Sequence, residues 1–150
     1  MANSTNTDAV IRKRPRRSHI TSSYTHVNLR DVEDTVSERV PGMEGRFARG
    51  HLGSRDLGVS HFRYAPNLRS PLAHSHREQE EAYVVVAGSG RALLDGELVE
   101  LAQWDVLRIA PPVVRAFEAG ADGLELIAIG GPKPADGDGV SGEAVWPDSV

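Results

Sequence analysis

The chain has 150 residues and a net charge of −4 at pH 7, with 39% hydrophobic and 25% charged residues. This length suits one domain, and the composition is ordinary for a folded protein, so wholesale disorder is excluded. The absence of cysteine excludes disulfide bonds, thiolate metal sites and cysteine nucleophiles, and the acidic charge argues against a protein whose whole surface binds nucleic acid or acidic lipid.

Residues 1–25 have the composition of a disordered basic tail. Polar residues dominate, and five cations cluster between Arg12 and Arg17. Such a segment buries too little apolar surface to offset the entropy lost on ordering, so we expect a flexible N-terminal tail. A role in binding nucleic acid or a partner protein is the alternative to a solvated tail, but no helix-turn-helix pattern accompanies it. We therefore expect no nucleic-acid partner.

The sequence also lacks the signals of export and membrane insertion. No apolar run follows the basic cluster, so a secretory signal peptide is not expected. No apolar run approaches the ~18 residues that span a bilayer. These observations predict a cytoplasmic protein that does not enter a membrane.

Residues 26–56 are expected to form an arm that packs on the body of the domain. A helix is predicted near Leu29–Arg39, because Asp31 is a residue type that caps helices and Pro41 would end one. At the other end, residues 130–150 form a segment rich in Gly and Pro. Within it, Val145 and Trp146 are the candidates to fold back onto the body.

Residues 57–129 have the pattern of short β-strands separated by turns. Asp95-Gly96, between two apolar runs, predicts a two-residue hairpin because the tight turn needs positive φ. Strands recurring every ~8 to 12 residues, without long helical patterns between them, predict an all-β sandwich or barrel. The predicted strands are Leu57–Ala65, Ala82–Ala87, Arg91–Leu94, Leu98–Leu101, Val106–Ile109, Val113–Phe117 and Leu124–Ile129.

Two histidines and a glutamate form the candidate metal site. His74 and His76 are separated by one residue, so on an extended strand their imidazoles point to the same face. Glu81 joins that face if the polar residues 77–80 form a turn that resets the alternation. Two imidazoles and one carboxylate with open positions suit iron(II), and such a site also accepts manganese, nickel or zinc.

These residues resemble the first motif of the cupin family, H-x-H followed after three or four residues by Glu and after six more by Gly. Here the motif is His74-Ser75-His76, four residues, Glu81, six residues and Gly88. The resemblance covers about residues 57–129. It implies a small jelly-roll barrel, or double-stranded β-helix, with a metal site in the barrel mouth and usually a dimeric assembly. It also implies a small-molecule ligand and, if the protein is an enzyme, dioxygenation or isomerisation.

The second cupin motif is matched in layout but not in its metal ligand. In WDVLRIAPPVVRAF, Trp104 takes the position of a glycine and Arg115 that of the metal-binding histidine. Arginine cannot coordinate a metal because its guanidinium stays protonated. Three arrangements stay open: Arg115 pairs with Glu81 in a metal-free barrel, anchors an anionic ligand, or turns outward and leaves the three-ligand site intact.

Two further side chains are weighed as members of the site. Tyr83 shares strand parity with Glu81, which makes it a candidate ligand-binding residue, with a packed core tyrosine as the alternative. His61 would supply a fourth metal ligand if its strand face lined the barrel, and would otherwise be a polar residue on a strand.

The opposite face of the same strand carries Ala82, Val84 and Val86. An exposed apolar sheet face is costly, so this pattern predicts a homodimer unless a second sheet or the N-terminal segment covers it. The predicted function is a small-molecule-binding protein that holds a divalent metal through His74, His76 and Glu81. The alternative is a metal-free binding or sensor barrel in which Arg115 anchors an anionic ligand, and the sequence leaves open whether the protein is an enzyme.

Overall fold

The computed structural model describes residues 19–20 and 23–148, and antiparallel β-strands dominate this part of the chain. Two short helices accompany the strands, a 3₁₀ helix at Leu29–Asp31 and α1 at Arg49–Leu52. The all-β prediction is therefore confirmed. The strands are β1 (His19–Ile20), β2 (Thr25–His26), β3 (Met43–Phe47), β4 (Gly58–Tyr64), β5 (Leu72–His76), β6 (Glu81–Leu94), β7 (Glu97–Leu101), β8 (Val106–Ile109), β9 (Arg115–Gly130) and β10 (Gly139–Glu143).

Eight strands form one curled sheet built on the long strands β6 and β9. These two pair from Glu81–Gly130 at one end to Leu94–Arg115 at the other. Each meets different neighbours at its two ends: β6 pairs with β8 and then β7, and β9 pairs with β5 and then β4. Strands β3 and β10 extend the sheet beside β4 and β5. Because the neighbours change along the long strands, the sheet curls around its inner face.

Alternation along the strands places apolar side chains on that inner face. Tyr83, Val85, Phe117 and Leu126 are almost fully buried there, within one core cluster. A smaller cluster packs on the other side of β5 and β9, where Trp146 is buried and its indole Nε1 donates to the carbonyl of Ser70 at 3.0 Å. The C-terminal segment thus folds back through its tryptophan.

Two predicted turns prove to be irregularities inside strands. Residues 88–90 lie within β6 and residues 120–123 within β9, and the pairing of the two strands shifts register here. The glycines allow β6 and β9 to approach each other closely and do not reverse the chain. A Cβ atom on Gly88 would lie 2.0 Å from the carbonyl oxygen of Gly123. The predicted strand breaks at these two places are wrong for that reason.

The predicted helix at Leu29–Arg39 is also wrong beyond its first turn. The 3₁₀ helix ends at Asp31, and Asp34 then pairs with β3 through a bridge to Arg46. The Asp34 carboxylate accepts backbone N–H groups of Val36, Ser37 and Gly45, which ties the segment to the sheet edge instead of continuing a helix.

Other expectations are met or lie outside the described part. Asp95 and Gly96 have φ of 48° and 91° and join β6 to β7, as the hairpin signal predicted. Most of the predicted tail, with its cations at 12–17, lies outside the described residues, and β1 pairs with β2 where that segment is described. Neither described helix has the length and hydropathy needed to cross a bilayer.

Candidate metal centre

Strands β5 and β6 bring the three proposed ligands together. His74 and His76 share one face of β5, and bends at residues 77–78 precede Glu81, the first residue of β6. The Nε2 atoms of His74 and His76 lie 3.6 and 3.4 Å from Oε2 of Glu81. One ligand atom from each of the three residues lies within 4.8 Å of the others, so the group is close enough to bind a metal ion.

Two hydrogen-bond donors and two imidazole nitrogens converge on the same carboxylate oxygen. Tyr83 donates its hydroxyl to Oε2 of Glu81 at 2.6 Å, and Nη2 of Arg115 donates to it at 3.1 Å. Burial raises the pKa of Glu81, but the adjacent imidazoles of His74 and His76 and the hydrogen bond from Tyr83 outweigh it and hold the pKa far below its ordinary value. Burial and the charge of Glu81 raise the pKa of Tyr83, so its phenol stays a donor. Glu81 is therefore an ionised carboxylate, the form that can bind a metal.

His76 has the surroundings of a metal-binding imidazole. Both of its ring nitrogens are buried and neither makes a hydrogen bond within the described chain. Nε2 points toward Glu81, while Nδ1 lies 3.3 Å from Oδ2 of Asp138. Asp138 is itself fixed, because its carboxylate accepts the backbone N–H groups of Glu78 and Gln79. A carboxylate behind a ligating imidazole orients the ring and raises its basicity.

Arg115 points into the site. Its side chain is fully buried, so the arrangement in which it turns outward is wrong. Besides donating to Glu81, it donates through Nη1 to the carbonyls of Pro111 and Val113 at 3.2 and 2.7 Å. Register explains this direction, because Arg115 is the strand partner of His74 and shares its face. The guanidinium is therefore occupied by Glu81 and two carbonyls.

The three ligands line a cavity of about 390 Å³ inside the sheet. Tyr83 lines it as well, as its parity with Glu81 predicted, and so does Arg115. His61 does not: its Nε2 lies 2.6 Å from Oε1 of Glu125, beside a different cavity on the outer face. The hypothesis that His61 completes the metal site is wrong, because β4 turns Ser60 and Phe62 inward instead.

Sequence reasoning missed several polar residues around the cavity. Asp138 lies immediately before β10, which pairs with β5 so that Gly139 faces His76. Arg49, Gln79 and Lys133 line the cavity, and the exposed Lys133 marks its mouth. No local pattern distinguishes these residues from ordinary surface ones, and only the acidic, glycine-rich run at 136–139 hinted at a special turn.

Comparison with solved structures identifies the architecture. A cupin protein from Bacteroides fragilis is 24% identical over 87% of this chain and 98% of that one, with a TM-score of 0.62. The chain has the cupin fold. The polyketide cyclase RemF from Streptomyces resistomycificus is 19% identical, with 82% and 87% of the two chains covered and a TM-score of 0.62. The jelly-roll prediction is thus confirmed.

A longer enzyme contains a similar unit. An oxalate decarboxylase variant from B. subtilis matches 84% of this chain but only 34% of its own, with 18% identity and a TM-score of 0.67. Identities this low establish the fold and carry no activity across. No protein-family model matches the chain, and no curated protein does.

Proposed function

We propose that this cupin binds a small organic molecule in its cavity and holds a divalent metal through His74, His76 and Glu81. The observation that carries the proposal is the pair of buried ring nitrogens of His76 that lack hydrogen-bond partners. Leaving a buried polar group unsatisfied costs about 1–3 kcal/mol. A metal at Nε2, with Asp138 behind Nδ1, would remove that cost. Iron, manganese, nickel and zinc all suit the ligand set.

The proposed chemistry divides between the metal and the chain. A bound metal would polarise and orient an oxygen-rich substrate, which suits dioxygenation or isomerisation. Tyr83 and Arg115 hold Glu81 ionised and fixed in direction through hydrogen bonds to its Oε2. The apolar wall of the cavity, which includes Met43 and Phe62, would orient the substrate and exclude water.

One observation favours a second candidate, a metal-free binding or sensor barrel. The Arg115–Glu81 ion pair, at 3.1 Å, already neutralises the carboxylate that a metal would use. In that candidate His74 and His76 act as hydrogen-bonding groups toward the ligand. Three of the five N–H groups of the Arg115 guanidinium already donate to Glu81 and to the carbonyls of Pro111 and Val113, so only two stay available to a ligand.

Metal content separates the two candidates. Tag-free protein purified without chelator is analysed by elemental mass spectrometry, beside His76→Ala and the matched control His51→Ala, a half-exposed surface histidine. About one equivalent of metal in the wild type and in the control, lost in His76→Ala, would support the metal centre. No metal, and none taken up on reconstitution, would leave the metal-free barrel.

Assembly as a homodimer is proposed on the outer face of the sheet. Ala82, Val84, Ile127, Ile129 and Val106 are cross-strand neighbours there, and the last two are exposed by 41% and 67%. Burying such a face against a second copy would remove apolar surface from water. Light scattering should give twice the chain mass for the wild type and one chain mass for Val106→Glu. A monomeric wild type would contradict the proposal.

Cytoplasmic location is proposed on the absence of cysteine, which gives the chain no disulfide to form in an oxidising compartment. Cell fractionation followed by immunodetection tests it, and recovery outside the cytoplasmic fraction would contradict it.

A further inference from the structure

Three cations at the cavity lack the partner that the other cations have. Of the twelve described Lys and Arg residues, nine lie within 4.0 Å of a carboxylate oxygen. The remaining three are Arg39, Arg49 and Lys133, and all three line the cavity. Cations that are merely solvated have no reason to gather at one opening. Their placement therefore calls for an explanation at the cavity itself.

The structure makes room for one of these cations. The Arg49 guanidinium is fixed by hydrogen bonds to two backbone carbonyls, including that of Gly131 at 2.7 Å. It lies over Gly58, where a Cβ atom would come within 2.8 Å of Nη2. The strand partner of Gly58 is Gly130, where a Cβ atom would lie 2.5 Å from the amide nitrogen of Gln79. Two facing glycines thus leave space for two polar side chains at the mouth.

The charge of the cavity is opposite to that of the chain. Its charged lining consists of four cations, Arg39, Arg49, Arg115 and Lys133, and one carboxylate, Glu81, which is a net formal charge of +3. The whole chain carries −4. A cleft lined by one sign of charge between low-dielectric walls concentrates ions of the opposite sign. Since Arg115 is paired with Glu81, the lining cations without a carboxylate partner are the three at the mouth.

We propose that the cavity selects a small organic anion, whose charged group lies among Arg39, Arg49 and Lys133 and whose apolar body extends toward Glu81. The apolar part of the wall suits such a body, because Val36, Val40, Met43, Phe62 and Ala128 contribute to it. This inference rests on the proposed function as a small-molecule-binding cupin, but it does not depend on the metal. It assigns the substrate class, and it has the anionic group bound by the three cations at the mouth instead of by Arg115.

Isothermal titration with a matched pair of probes tests the proposal. 2-Naphthoate and 2-naphthamide share shape and apolar area and differ in charge. The variant is the double substitution Arg39→Gln/Lys133→Gln. The matched control is Arg55→Gln/Arg108→Gln, which removes two cations that are 90% and 67% exposed and pair with carboxylates elsewhere. Chelator-treated protein is titrated in parallel, so that direct binding of the carboxylate to a metal does not contribute.

The wild type should bind the naphthoate about tenfold more tightly than the amide, because only the naphthoate carries a charge that the cations at the mouth attract. The mouth variant should lose most of that preference without changing its affinity for the amide, and the control should keep it. Equal affinities for the two probes, equal losses in both double variants, or no binding of either probe at millimolar concentration would overturn the proposal.

Metal analysis of the same samples separates this proposal from the proposed metal centre. A charge preference in protein that takes up no metal would support the anion site and reject the metal centre. A full equivalent of metal without a charge preference would do the reverse.

Discussion

Replacing Arg115 by Met is expected to destabilise the metal-free protein by about 3 kcal/mol, toward the lower end of the cost of breaking a buried ion pair. Methionine is unbranched, apolar and similar in length to arginine, so the substitution removes the charge more than the volume. Arg115 is fully buried and the Glu81 side chain is 12% exposed, so little water can replace the lost guanidinium. Two backbone carbonyls that now accept from Nη1 also lose a donor.

Two comparisons isolate the ion pair within that loss. The double variant Arg115→Met/Glu81→Gln leaves no unpaired charge, so it should recover most of the stability lost in Arg115→Met. The surface control Arg108→Met removes an exposed pair with Glu80, which should cost less than about 1 kcal/mol. For a chain of this size, 3 kcal/mol corresponds to a fall in Tm of roughly 6–12 °C.

A divalent metal should act most strongly on the single variant. Without Arg115, Glu81 is a buried anion that still faces His74 and His76, and a metal held by the three would bind the folded state only, because only folding brings them together. Manganese(II) at about a hundred times its Kd stabilises by about 2.7 kcal/mol through linkage. Differential scanning calorimetry should therefore show a larger manganese-induced rise in Tm for Arg115→Met than for the wild type. Destabilisation no greater than that of Arg108→Met, or a double variant as unstable as the single one, would refute the reasoning.

Three other predictions follow from single contacts. Three backbone N–H groups hold the pKa of Asp34 below its ordinary value. Its contribution to the free energy of unfolding, about 1 kcal/mol, is therefore full above pH ~4 and is lost as the pH falls further. Urea unfolding should show that the loss of stability in Asp34→Asn becomes smaller below pH ~4, while Asp122→Asn should leave the free energy of unfolding unchanged. Gly88→Ala should destabilise far more than Gly96→Ala: both positions have positive φ, but only at Gly88 would the added Cβ lie 2.0 Å from a backbone oxygen, and equal losses would contradict this. Asp138→Asn should keep its backbone hydrogen bonds yet weaken manganese binding about 10- to 100-fold by titration, and unchanged affinity would show that Asp138 does not orient the site.

The first cupin motif was predictable because its geometry is local. Alternation along one strand places His74 and His76 on the same face, and the polar run before Glu81 predicts the turn that resets parity. The structure has both features. The same alternation predicted that Tyr83 points into the cavity. It could not predict the direction of Arg115, because that direction depends on the pairing of β5 with β9, two strands that are distant in sequence.

The misreadings share a physical cause. Glycine-rich runs at 88–90 and 120–123 have the composition of turns, yet each allows the other strand to approach closely, which no single stretch of sequence can show. The helix predicted at Leu29–Arg39 ends after one turn, because the carboxylate of Asp34 accepts the N–H of Gly45 on a neighbouring strand. Asp138 reaches His76 only through the pairing of β10 with β5. Contacts of long sequence separation decided each case.

The two proposed ligands of the cavity should also bind cooperatively. Its charged lining already carries +3, so a divalent metal enters against a positive field, and Arg115 competes with it for Oε2 of Glu81. An organic anion at the mouth would lower that field, and the metal would in turn strengthen the attraction for the anion. Coupling between two sites is reciprocal, and values of 1–3 kcal/mol are typical. Manganese affinity should therefore rise about five- to tenfold in saturating 2-naphthoate and stay constant in 2-naphthamide. Equal manganese affinity in both probes would mean that Glu81 and Arg115 screen the metal from the charge at the mouth.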